Sequence, residues 1–110
     1  MFLDELISRI RQRAGAFLGN DINLKSLFHF INGFLFAKAN SGIPDKYGQV
    51  FRYGFREFLI SESGDTEYEK FILWYEILES AYGDYAFDKF FEMWDKFCEK
   101  NFPDKNSANK

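Results

Sequence analysis

Apolar residues recur at helical spacing along most of the chain, and strand-like alternation is rare. The spacing predicts a short first helix over residues 2–10, a loop over 15–20, a second helix over 24–39 and a third helix between Asp45 and about Ser61. Phe30, Phe34 and Phe36 make the second helix apolar nearly all round, which is typical of a buried middle helix. Because Gly48 and Gly54 weaken the third helix, a strand is the alternative there.

Two further helices are predicted after the break at residues 63–65. Residues 66–69 read Thr-Glu-Tyr-Glu, the pattern of a capping box, so a fourth helix should run from Thr66 to a stop at Gly83. Asp84 can then cap the last helix. Five helices with short connections predict an all-α, single-domain bundle over residues 1–101, followed by a disordered polar tail over residues 102–110.

The last predicted helix carries a regular stripe of acids beside an apolar side. The stripe follows steps of 4, 4, 3 and 4 residues, which place its members on one side of a helix: Asp84, Asp88, Glu92, Asp95 and Glu99. Phe87, Phe90, Phe91, Trp94, Phe97 and Cys98 occupy the adjoining apolar side. A charged face of this kind serves either solubility alone or the binding of a cationic partner.

Further residues extend this predicted binding face. Glu69 and Glu76 should share a side of the fourth helix, and Glu79 adds another acid there. Tyr82 and Tyr85 lie at the junction of the last two predicted helices. Because tyrosine combines apolar area with a hydrogen-bonding tip, both residues are candidate anchors for a protein partner. The structural alternative is that they only cover the corner between the helices.

The net charge of −3 conceals a strong asymmetry along the chain. Residues 1–60 contain eight lysines and arginines against five acids, whereas residues 61–99 contain three lysines against eleven acids. Residues 100–110 contain three lysines against one acid. The acidic part should repel nucleic acid and attract a basic protein.

Residues with catalytic or metal-binding chemistry are sparse. His29 is the single histidine and Cys98 the single cysteine, and both lie on predicted apolar helices, so we expect structural roles for them. We therefore expect no enzyme activity, no metal and no cofactor. The 110-residue chain shows neither a secretory leader nor a membrane span, and it lacks a cysteine pair, which favours a cytoplasmic location.

Residues 6–37 carry a family resemblance. The segment Arg9–Gly19, followed by Leu24-x-x-Leu27-Phe28-x-Phe30-Ile31-x-Gly33-Phe34, resembles immunity proteins of contact-dependent growth inhibition and related bacterial toxin systems. Ala14 and Ala16 stand where that pattern usually has Pro and Met. The resemblance implies a protein that blocks one cognate toxin, often a nuclease, with no catalytic residues of its own.

Charge and resemblance together predict an immunity protein that neutralises a basic toxin domain through the acidic face. The alternative is a small nucleic-acid-binding or regulatory adaptor protein that uses the basic residues near the start, Arg9, Arg11, Arg13 and Lys25.

Overall fold

The structure, a computed structural model, describes residues 1–103. Six α-helices occur in these residues: α1 (Leu3–Gln12), α2 (Ala14–Leu18), α3 (Leu24–Ser41), α4 (Lys46–Ser63), α5 (Trp74–Tyr82) and α6 (Ala86–Asn101). Two 3₁₀ helices, Thr66–Lys70 and Gly83–Tyr85, precede α5 and α6. No strand occurs among residues 1–103. The predicted all-α fold class is confirmed, because α1 and α3–α6 are the five main helices.

The chain divides into two units, Met1–Tyr53 and the part that begins at Gly54, and the boundary falls within α4. The first unit is called the N-terminal unit below, and the described part of the second, residues 54–103, is called the C-terminal unit. The prediction of one domain over residues 1–101 stays a prediction. Most of the predicted tail, residues 104–110, lies outside the described residues.

Two polar side chains fix helix starts in the N-terminal unit. Asn23 precedes α3, and its side chain accepts a hydrogen bond from the Ser26 amide at 2.9 Å. Asp45 is only 4% exposed, and its two carboxylate oxygens serve two different helices. Oδ1 accepts from the Gly48 amide at 3.0 Å in α4, and Oδ2 accepts from the Leu3 amide at 2.9 Å in α1. One carboxylate therefore satisfies an otherwise unpaired amide at the start of each helix.

The prediction of a helix buried nearly all round is wrong for α3. Leu24, Leu27, Phe28 and Ile31 are its buried residues, whereas Phe36 is 72% exposed. At about 100° per residue, the four buried side chains form one narrow stripe, and Phe36 lies well outside it. The loop predicted over residues 15–20 is also partly wrong, because α2 occupies Ala14–Leu18 before Gly19 ends it with a positive φ of 65°.

The fourth helix predicted from Thr66 to Gly83 is broken. Asp65, rather than Thr66, caps the segment by accepting from the Glu67 amide at 2.9 Å, and the backbone is extended at Phe71 and Leu73 before α5 begins. Arg56 explains the break. Its guanidinium donates to the carbonyls of Glu69 and Phe71, each at 2.8 Å, and a continuous helix would have used both carbonyls internally.

Aromatic rings build the core of the C-terminal unit around Phe55. The centre of the Phe55 ring lies 5.5 Å from that of Trp74, 5.6 Å from that of Phe90 and 5.4 Å from that of Phe97. All three pairs have edge-to-face geometry. Phe58 also contacts Phe97 edge-on at 5.4 Å. Such pairs add about 0.5–1.5 kcal/mol each beyond the area that they bury. This cluster fixes α4, α5 and α6 to one another within the unit.

Candidate partner-binding surface

The acidic stripe lies on the outward side of α6. Asp88, Glu92, Asp95 and Glu99 are all exposed, and at 100° per residue they fall within about 60° of one another on the helix. The opposite side of α6 is buried and comprises Ala86, Phe90, Phe91, Met93, Trp94, Phe97 and Cys98. The periodicity therefore gave the orientation of these four acids correctly.

Asp84 does not cap α6. It lies in the 3₁₀ helix Gly83–Tyr85, and the residue that precedes α6 is Tyr85, which makes no side-chain capping hydrogen bond. Asp84 is exposed, as the binding interpretation requires. Tyr85 is 73% exposed and lies three residues before Asp88, so it adjoins the N-terminal end of the stripe.

Lysines of α6 modify the stripe in a way that the sequence interpretation underestimated. Lys89 Nζ lies 3.0 Å from Glu92 Oε2, an i, i+3 ion pair, and 5.2 Å from the centre of the Tyr82 ring. Tyr82 is half-buried, so it is a weaker candidate anchor than Tyr85. Within residues 1–103, Asp88 and Glu99 form no ion pair. The stripe thus retains exposed negative charge on either side of Glu92.

The acids before α6 do not form the second stripe that was predicted. Glu69 is exposed in the 3₁₀ helix Thr66–Lys70, and Glu76 is half-buried in α5, so the two do not share one helix face. The extended residues 71–73 separate them for the reason given above. Glu79 is exposed on α5. These three acids add charge to the C-terminal unit without continuing the regular stripe.

The basic residues near the start of the chain are divided among different surroundings. Arg9 pairs with Glu5 at 2.8 Å on α1, whereas Arg11 lies about 160° away around the same helix at two residues' spacing. Arg13 is outside the helix, between α1 and α2, and Lys25 begins α3. No continuous basic helix face therefore supports the alternative of a nucleic-acid-binding protein.

Side chains suited to metal binding or nucleophilic chemistry are not clustered. Among residues 1–103, no group of three or more His, Cys, Asp and Glu side chains is placed to hold a metal ion. His29 is exposed, and its ring centre lies 5.4 Å from that of Phe28, so the structural role expected for it stays a prediction. Cys98 is buried and forms no disulfide.

No helix of the described residues is long and apolar enough to cross a membrane.

A groove that the sequence did not predict lies in the other unit. Residues of α3, α4 and their connection line a groove of about 390 Å³ in the N-terminal unit, with Lys38 and Arg52 among them. The two cations are fourteen positions apart, so only the pairing of α3 with α4 brings them to one groove.

Comparison with known proteins gives no relative. No protein-family model matches the chain, and neither curated proteins nor solved structures provide a match.

Proposed function

We propose that this protein binds a basic protein surface through the exposed acidic face of α6 and thereby neutralises an antibacterial toxin domain in the cytoplasm. The proposal rests on one observation: four carboxylates, Asp88, Glu92, Asp95 and Glu99, project from one side of a helix whose other side is buried in an aromatic core.

A helix fixed in this way can present charge without reorganising. Because α6 rises about 5.4 Å per turn, its carboxylates form a row spaced by roughly one turn. A nuclease must expose cations to bind phosphate, so such a row can occupy or cover its cleft. Opposite potentials also accelerate association, towards about 10⁸ M⁻¹s⁻¹ at low salt.

Tyr85 supplies the apolar contact that a row of charges lacks. It is 73% exposed and adjoins the stripe, and buried tyrosines frequently dominate the binding energy of protein interfaces. Lys89 divides the row by pairing with Glu92, which favours a partner whose cations approach Asp88 and Glu99. The resemblance of residues 6–37 to immunity proteins favours a toxin as the partner. The negative charge of the face favours a toxin that is a basic nuclease.

The first experiment identifies the partner. The proposal predicts that the reading frame upstream of this protein's gene ends in a toxin domain. That domain is expressed in inactivated form, and its binding to this chain is measured by biolayer interferometry. Growth of cells that express the active toxin is then compared with and without this chain. Tight binding together with restored growth supports the proposal, and growth arrest despite full expression of this chain contradicts it.

A charge-reversal variant then tests the surface. The triple variant Asp84→Lys, Asp88→Lys and Glu99→Lys should slow association by about tenfold or more at low salt and leave the melting temperature nearly unchanged. The matched control reverses three exposed acids elsewhere, Glu5, Asp21 and Glu67, and changes the net charge equally. Equal slowing by both variants would mean that overall charge acts without a specific acidic face.

A further inference from the structure

The groove of the N-terminal unit lies at the junction of α3 and α4. Leu35 and Lys38 line it from α3, Ile43 lines it from the connection, and Gln49, Arg52 and Tyr53 line it from α4. Its volume of about 390 Å³ lies within the range of small-molecule sites, roughly 300–1,000 Å³. Apolar side chains form much of the wall, and the charged groups are few.

The charge of the groove is positive, although a carboxylate lines it. Both oxygens of Asp45 accept backbone amides, from Leu3 and Gly48, and the residue is 4% exposed. Lys38 and Arg52 form no ion pair with any residue in the described range. Their charges are therefore available to an anion in the groove.

Aromatic rings, rather than acids, support the two cations. Lys38 Nζ lies 4.8 Å from the centre of the Phe2 ring and 5.9 Å from that of Phe34, and Arg52 lies 5.9 Å from the Tyr53 ring. Contacts of this kind position a cation while leaving N–H groups able to donate hydrogen bonds.

The connection between α3 and α4 is held in a defined shape. Gly42 adopts a positive φ of 77°, and the Ser41 hydroxyl donates to the Lys38 carbonyl at 2.7 Å and accepts from the Ile43 amide at 3.2 Å. Ile43 consequently projects outward and is 57% exposed, and Tyr53 is 79% exposed. Two large apolar side chains border the cationic groove and stay open to solvent.

We infer that this groove binds a small organic anion that carries an apolar group beside its carboxylate. The carboxylate accepts hydrogen bonds from Lys38 and Arg52, and the apolar group covers Ile43 and Tyr53. Charge selects an anion, because the two cations of the groove outnumber its one carboxylate, Asp45, whose oxygens already accept hydrogen bonds from the backbone. The limited volume selects a small molecule over a folded partner. This site is independent of the acidic face proposed above, which lies in the other unit.

Binding of 3-phenylpropionate to the whole chain tests the inference. In ¹H–¹⁵N NMR titration, saturable shifts should concentrate on the amides of Gly42, Ile43, Gln49 and Arg52. Substitution Arg52→Gln should weaken binding by roughly tenfold, because it removes a charge-assisted hydrogen bond. The matched control, Arg13→Gln, removes an exposed cation outside the groove and should leave the affinity unchanged.

Three further probes separate the contribution of the carboxylate charge from that of the apolar group and distinguish a small molecule from a peptide. The neutral 3-phenylpropanamide should bind more weakly than the acid, and so should acetate, which lacks the apolar group. Equal binding of the amide, shifts spread over both units or the absence of saturation would each overturn the inference. Binding of an acetylated peptide that ends in phenylalanine, without binding of the free acid, would overturn it in favour of a peptide site.

Discussion

The two units of the chain differ in both charge and core. Residues 1–53 contain seven lysines and arginines against four acids, whereas residues 54–103 contain five against twelve. Helices α1 and α3 bury mainly leucine and isoleucine, whereas edge-to-face aromatic rings dominate the C-terminal core. A mildly acidic chain thus carries a cationic groove in one unit and an acidic helix face in the other. Net charge alone would have concealed both.

Removal of the central ring of the C-terminal core tests the contrast between the two cores. Phe55 is fully buried and packs edge-on against Trp74, Phe90 and Phe97, so Phe55→Ala should lower the free energy of unfolding by about 3–5 kcal/mol. Tyr53→Ala removes an aromatic ring from the same helix at a 79% exposed position and should change it by less than about 0.5 kcal/mol. Urea unfolding measures both values. Similar losses would contradict the central position of Phe55.

A smaller effect is expected from the buried carboxylate of the N-terminal unit. Asp45→Ala removes the acceptor for two helix-start amides, so we expect a loss of about 2–3 kcal/mol in the free energy of unfolding. Asp45→Asn keeps one acceptor oxygen and should recover part of that loss. The control Asp21→Ala changes an exposed acid and should be nearly neutral. A loss no greater than that of the control would mean that water satisfies both amides.

The smallest of the three effects concerns the break before α5. Arg56→Met removes two hydrogen bonds to the carbonyls of Glu69 and Phe71 and should cost about 1–2 kcal/mol. Amide hydrogen exchange over residues 66–73 should accelerate, whereas exchange in α6 should change little. The control Arg52→Met alters an exposed arginine and should leave that exchange unchanged. Faster exchange in both variants would show that Arg56 does not specifically hold the segment.

Sequence pattern was sufficient where a local rule decides the structure. The starts of α3 and α4 lie where periodicity predicted them, and the acids of α6 face outward because their spacing opposes the aromatic side. The ion pair between Lys89 and Glu92 was not predicted, although i, i+3 neighbours meet on a helix surface and the spacing could have indicated it.

Distant contacts decided the features that sequence pattern did not predict. The break before α5 depends on Arg56, which lies 13 and 15 positions before the carbonyls that it binds. The exposure of Phe36 depends on which side of α3 the neighbouring helices cover. The groove requires α3 and α4 to come together, and a side chain at Gly48 would place its Cβ 2.9 Å from Leu35 Cδ2. None of these relations leaves a periodic signal.

The shared carboxylate of Asp45 has a consequence for motion near the beginning of the chain. Terminal helical turns ordinarily open independently of the rest of the protein. The free energy that this opening requires is a small fraction of the free energy of global unfolding. Here the opening turn of α1 shares an acceptor group with the opening turn of α4, and that group, Asp45, lies 42 positions from Leu3. Fraying of α1 at Leu3 is therefore coupled to opening of the first turn of α4, so hydrogen exchange of the Leu3 amide also measures that opening.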